Sequence, residues 1–152
     1  MDSITRTTRI CTFDQMKPEL RNALRMHLAQ YRLTEIESDI LMCCETKSTR
    51  QKKGIFGGTE QTESAVLLTP RWLAWVDSTN RDSAAAGSAE LKKINVRGYE
   101  SSALYDVYPD TGLNVTGQYT DVNKTGMTFI AIGNEPDGKK FRETLQDAIA
   151  KA

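Results

Sequence analysis

Apolar residues recur every three or four positions after Phe13, the spacing of a helix with one apolar face. The pattern predicts a first helix that ends near Gln30, with Thr12 or Asp14 as its N-cap. Pro18 then falls in the first turn, where proline is tolerated. The apolar stripe consists of Met16, Leu20, Ala23, Leu24, Leu28 and Tyr31.

The same spacing returns at the end of the chain and predicts a second helix over residues 138–151, capped by Asp137. Its apolar face is made of Phe141, Leu145, Ala148 and Ile149. Residues 1–12 are polar and rich in threonine and arginine. Because terminal segments of this kind are often poorly ordered, we expect a loose lead-in there.

Between the two helices the pattern changes to the alternation of β-strands. A first strand begins at Ile40 and fades into the basic sequence KSTRQKKG. A glycine-rich turn at residues 54–58 follows, with Ile55 and Phe56 at its tip. The remaining predicted strands are residues 64–69, 72–79, 86–94, 102–108, 113–119 and 127–133.

About seven short strands followed by a closing helix predict an α+β fold rather than an alternating βαβ fold. An antiparallel sheet of this length is expected to curl into a barrel or sandwich, because curling removes exposed edges. The C-terminal helix then closes one end. We expect the lead-in and first helix, residues 1–38, to pack on the same domain as residues 39–152.

Composition restricts the function classes. Twenty basic and twenty acidic residues leave no net charge, so no overall field attracts nucleic acid, and no nucleic-acid partner is expected. Residues 1–53 hold ten Lys and Arg against seven Asp and Glu, a weak indication of a basic face. The N-terminus lacks an apolar signal region and no apolar run reaches the length of a membrane span, so we predict a cytoplasmic protein.

Catalytic and metal-binding residues are scarce. Cys11, Cys43 and Cys44 are predicted to be free thiols, and the strand alternation places Cys43 and Cys44 on opposite faces, one buried and one exposed. His27 is the only histidine and lies beside the apolar stripe of the first helix. It is distant from the cysteines in sequence, so no zinc spacing exists. We therefore predict no enzyme activity, no cofactor and no metal site.

The basic segment is the strongest functional indication. Lys47, Arg50, Lys52 and Lys53 occur within seven residues that contain no acid. Ile55 and Phe56 follow between glycines. Cations beside exposed apolar side chains suit an anionic membrane surface or a phosphorylated headgroup. The alternative interpretation is a solvated strand end whose loop folds back on the core.

The order of elements resembles the pleckstrin-homology-like superfold, in particular its bacterial members and the GRAM domains. The resemblance covers residues 39–150 and rests on the late strand 129–132, on ESAVLLTPRWLAWVDST as a hairpin, and on the helix residues Phe141, Leu145 and Ile149. It implies a seven-stranded antiparallel barrel or sandwich that binds rather than catalyses.

Many members of that family bind phosphoinositides through basic residues on the first two strands. The basic segment supplies those of the first strand, but the second strand has Glu60, Glu63 and Ser64 where the basic pair stands in the family. We therefore predict a binding module that contacts another protein as an adaptor. The alternative is weak recognition of an anionic membrane, which would make the protein membrane-peripheral.

Overall fold

The computed structural model describes residues 3–78, 84–121 and 125–152. These residues form two antiparallel sheets and two long helices, which confirms the α+β class. The five-stranded sheet has the order β1 (Ser3–Cys11), β2 (Met42–Gln51), β3 (Thr59–Leu68), β4 (Trp72–Ser78) and β5 (Ala84–Glu90). The three-stranded sheet has the order β6 (Ile94–Gly98), β7 (Gly112–Gln118) and β8 (Thr125–Ala131). The helices are α1 (Pro18–Gln30) and α2 (Pro136–Lys151), with short 3-10 helices at Thr34–Asp39, Leu91–Lys93 and Tyr99–Ser101.

The prediction of a loose N-terminal lead-in was wrong. Strand β1 pairs with β2 along its full length, from Ser3 opposite Gln51 to Cys11 opposite Cys43. Its free edge is covered by the first turn of α2, because Glu135 accepts a hydrogen bond from the backbone N–H of Thr8 (2.7 Å) and Asp137 accepts one from that of Ile10 (3.0 Å). A covered edge does not invite pairing with another chain.

The five-stranded sheet carries a hydrophobic core on each face. Its inner face packs against the second sheet and α2, while its outer face packs against α1. Trp75 lies in the inner core and Trp72 packs against the outer one, as their odd spacing on a strand predicts. Cys44 and Cys43 likewise face opposite cores, but both are buried, so the prediction that one would be exposed was wrong. Burial of both follows because helix α1 covers the second face.

Both helices form where the apolar spacing predicted them. Phe141 and Leu145 of α2 are fully buried in the inner core, and Ile149 packs against its margin. The predicted caps were wrong. Helix α1 begins at Pro18 after Lys17, and α2 begins at Pro136 after Glu135. The Asp137 carboxylate instead accepts a hydrogen bond from the backbone N–H of Ile10 in β1.

The second sheet differs from the prediction in two places. Residues 94–98 form β6, which was not predicted as a separate strand. Residues 102–108 were predicted as a strand but form successive turns after Tyr99–Ser101. These two differences cancel, so the described part of residues 39–133 has seven strands, and β1 makes eight, in two separate sheets. The predicted loop NRDSAAAGS, residues 80–88, is described only from residue 84 onward, where it already belongs to β5. Residues 79–83 and residues 122–124 of the predicted turn before β8 lie outside the described residues. Among those that are described, no helix has the length and apolarity that crossing a bilayer requires.

Candidate functional site

The basic segment lies on the β2–β3 hairpin, and strand alternation divides it. Lys47 lies opposite Glu63 and faces the outer side, where both border a groove of about 560 Å³ with Arg9 and Lys17. Arg50 lies opposite Glu60 on the inner side. Each strand cation is therefore matched by an acid on the neighbouring strand. Lys47 and Arg50 do not form one patch.

The other members of the segment come together at the hairpin tip, which we define as residues 51–58. The turn is closed by hydrogen bonds from the Lys52 N–H to the Gly58 carbonyl and from the Gly57 N–H to the Gly54 carbonyl, both 3.0 Å. Gly54 has a φ of 117°, which favours glycine, and a Cβ on Gly57 would overlap the backbone of Lys52. Gly54 and Gly57 are therefore required by this turn.

The apolar residues of the tip are almost completely solvent-exposed, with Ile55 at 96% and Phe56 at 99%. The prediction that they lie at the loop tip is confirmed, and the loop does not fold back on the core. The Lys52 ammonium forms an ion pair with Glu60 (3.2 Å) that is open to solvent, and such pairs contribute little to stability. The tip thus combines two lysines with two exposed apolar side chains.

A second surface was not predicted as a site. It is the segment between β6 and β7, residues 99–110, which we call the pinned loop. Asp110 at one end forms a bidentate ion pair with Arg6 of β1, with Nε–Oδ1 and Nη2–Oδ2 distances of 2.6 and 2.8 Å. Glu100 at the other end forms a bidentate pair with Arg142 of α2, at 3.0 and 3.3 Å. Paired N–H donors of this kind fix orientation as well as distance.

Within the pinned loop, Tyr99 acts as the central support. Its hydroxyl donates a hydrogen bond to the carbonyl of Tyr108 (2.7 Å), and its ring meets those of Phe129 and Tyr105 edge-on at centroid distances of 5.4 and 6.4 Å. The N–H of Tyr108 also donates to the carbonyl of Leu104 (2.8 Å). The loop therefore has a defined conformation although it lacks regular secondary structure after the 3-10 helix Tyr99–Ser101.

The pinned loop presents apolar side chains to solvent. Leu104, Val107 and Tyr108 are 58, 55 and 67% exposed, and Tyr105 is also exposed. Beside the loop, a groove of about 360 Å³ crosses the second sheet and includes Met127, another exposed apolar residue. An apolar surface that neighbouring residues hold in place is typical of an interaction site.

The single histidine is part of a buried hydrogen-bond chain. His27 Nε2 lies 2.8 Å from the hydroxyl oxygen of Ser88. Ser88 donates its hydroxyl proton to Thr120 (2.8 Å), and Thr120 donates to the Ser88 carbonyl (3.0 Å). His27 must therefore donate to Ser88 rather than act as its base, and both residues are buried. Burial also lowers the pKa of His27, an effect that Asp121 partly opposes.

The thiols are equally enclosed. Burial, together with the carboxylate of Glu45, raises the pKa of Cys11 to about 11. Burial likewise raises the pKa of Cys43 to about 12 and that of Cys44 well above its ordinary value. Because the thiolate is the nucleophile, these cysteines are poorly suited to catalysis. The described part of the chain contains no group of three residues arranged to hold a metal ion.

No family model, no curated protein and no solved structure matches this chain.

Proposed function

We propose that this chain is a non-catalytic binding module of pleckstrin-homology-like fold that contacts another protein through the pinned loop. The fold assignment is supported by strand counts. Strands β2 to β5 give four antiparallel strands, β6 to β8 give three more, and α2 follows as the C-terminal helix. That order matches the resemblance over residues 39–150. Strand β1 and helix α1 are additions that cover one edge and one face.

The observation that carries the functional proposal is the exposed apolar surface held by two bidentate arginine pairs. A partner that docks on Leu104, Val107 and Tyr108 does not have to order the loop first, because Arg6 and Arg142 already fix both of its ends. Pre-organisation of this kind improves affinity by lowering the entropy lost on binding. Tyr108 is an exposed aromatic residue of this surface, and aromatic side chains of this kind are typical hot spots of protein interfaces.

The experiment is site-specific photocrosslinking in native extract, with the photoreactive residue at position 104. We expect a saturable adduct that is lost when Val107 and Tyr108 are changed to Ser. The same probe at Met26, an exposed apolar residue on α1, serves as the matched control. The adduct partner is identified by mass spectrometry, and its Kd is then measured with purified proteins. Equal labelling from positions 26 and 104 would count against the proposal.

A second candidate function is recognition of an anionic membrane surface by the hairpin tip, which would make the protein cytoplasmic and membrane-peripheral. The observation that favours it is the exposure of Ile55 and Phe56 directly after Lys52 and Lys53. Each cation near an anionic surface contributes about 1 kcal/mol, and salt screens that contribution. Lys47 and Arg50 lie on opposite faces of the sheet, and each has an acidic residue opposite it on β3. They therefore add little to the tip, and we expect weak and unspecific membrane binding.

Cosedimentation with anionic and neutral vesicles at two salt concentrations tests this second function. Changing Lys52 and Lys53 to Glu is expected to abolish binding to the anionic vesicles without unfolding the protein. The matched control changes Lys139 and Lys140 to Glu, since these adjacent exposed lysines of α2 give the same change in net charge. Tight, salt-resistant binding that survives the change at the tip would refute membrane recognition by this loop.

A further inference from the structure

The hairpin tip and the pinned loop have complementary charge. The tip carries Lys52 and Lys53 and no acidic residue, although Lys52 also forms a solvent-exposed ion pair with Glu60 of β3. Residues 99–110 carry three acidic residues and no Lys or Arg. Glu100 and Asp110 are held by arginines, but Asp106 is exposed and forms no ion pair with any residue that the structure describes. Both surfaces also expose apolar side chains. One surface is therefore basic and apolar, and the other is acidic and apolar.

We infer that the partner of the pinned loop is a second copy of this chain, whose hairpin tip docks on it. This inference rests on the proposed function, because it uses the same binding surface. Ile55 and Phe56 are almost fully exposed, so the tip does not cover the pinned loop of its own molecule. The contact must therefore join two molecules.

Such a contact is head-to-tail. Each copy has one tip and one pinned loop, so docking uses different surfaces on the two partners and leaves one of each free for further copies. Zero net charge means that no overall repulsion opposes this association. Only a few side chains meet on each side, well below the roughly 800 Å² per partner of a standard interface. The association is therefore weak and depends on concentration.

Sedimentation velocity across a concentration series provides the first test. The average mass of the wild-type protein is expected to rise above that of the monomer as concentration increases. The change Phe56→Ser should weaken this association roughly ten- to a hundredfold, because a full apolar side chain leaves the interface. Asp106→Lys should also weaken it, by placing a cation against Lys52 and Lys53. The matched control Met26→Ser, on the remote helix α1, should associate like wild type.

Mixing two defective variants isolates the pairing itself. The Phe56→Ser variant keeps an intact pinned loop, and a Leu104→Ser, Val107→Ser variant keeps an intact tip. Each alone is expected to remain monomeric. Together they should form a one-to-one complex that grows no further, because the mixture contains only one intact surface of each kind per pair. Circular dichroism confirms that each variant is folded.

A wild-type protein that stays monomeric throughout the series overturns the inference, as does a mixture that forms no heterodimer. Association that persists in both single-surface variants also overturns it, since other surfaces must then be responsible. If the wild type is monomeric while position 104 still captures a different, saturable protein, self-docking fails and the proposed function stands. If both experiments are negative, the pinned loop is not a binding surface.

Discussion

Replacing Arg6 with Met tests whether the pinned loop is held as the structure indicates. The guanidinium makes two hydrogen bonds to Asp110 and one to the Ser48 hydroxyl (2.5 Å), and it lies 5.3 Å from the centre of the Phe129 ring. The side chains of Arg6 and Asp110 are only 12 and 15% exposed. Met keeps most of the aliphatic volume but leaves the Asp110 carboxylate enclosed without its cation.

Removing one partner of a buried ion pair costs about 3–5 kcal/mol, because the remaining charge is desolvated without compensation. Asp110 retains a hydrogen bond from the Thr111 N–H (2.7 Å), so the lower end of that range is expected. A loss of about 3 kcal/mol corresponds to a fall in Tm of roughly 6–12 °C for a domain of this size. Hydrogen exchange at residues 99–110 should also become faster, since one end of the loop is released.

Urea denaturation and hydrogen-exchange mass spectrometry measure the two effects. Arg25→Met is the matched control, because Arg25 is 44% exposed and its partners Asp14 and Glu37 are 91 and 37% exposed, so no enclosed carboxylate is left without its cation. We expect the control to change the free energy of unfolding by less than about 1 kcal/mol. If Arg6→Met unfolds like this control and exchange at residues 99–110 is unchanged, Arg6 does not hold the loop.

Three further predictions concern the core. Phe141→Ala should lower the free energy of unfolding by about 3–5 kcal/mol through cavity formation, and an unchanged denaturation midpoint would show that α2 does not pack as described. None of the three cysteines should react with a thiol reagent in the native protein, because all are buried with raised pKa values, whereas all should react in urea; fast native labelling of any one contradicts this arrangement. Burial lowers the pKa of His27, so the native state binds fewer protons than the unfolded state, and stability should fall as pH drops below about 6.5. His27→Gln should make stability depend less on pH in this range. If the free energy of unfolding depends on pH identically in both proteins, burial does not lower the pKa of His27 as described.

The sequence predicted the elements whose signal is local. Helices α1 and α2 follow from apolar spacing alone, and the glycines around Ile55 and Phe56 predict that these two residues lie in a turn. Their exposure did not follow from the sequence, which also allowed the loop to fold back on the core. Strand β1 was missed because few of its residues are apolar, although its threonines favour strands. It is held by contacts that are distant in sequence, since it pairs with β2 along its full length and its other edge donates hydrogen bonds to Glu135 and Asp137 at the start of α2.

The pinned loop could not be predicted from local pattern. Its sequence SSALYDVY has the aromatic and β-branched residues of a strand, which is why residues 102–108 were predicted as one. What decides its conformation is long-range, since Arg6 and Asp110 are 104 positions apart in the chain. Because these ion pairs join residues that are far apart in the chain, the local sequence does not indicate that the apolar residues of the loop face solvent.

The basic segment shows how strand geometry changes the meaning of a charge cluster. Four cations in seven residues form one patch only if the segment is a loop. Because β2 continues to Gln51, alternation sends Lys47 and Arg50 to opposite faces, and the antiparallel register places Glu63 and Glu60 opposite them. Only Lys52 and Lys53 remain beside the apolar tip. The acids that stand on β3 in place of a basic pair also form ion pairs with lysines, Glu60 with Lys52 (3.2 Å) and Glu63 with Lys17 (3.0 Å). They therefore lower the positive charge around the hairpin, and this is why we expect weak membrane binding.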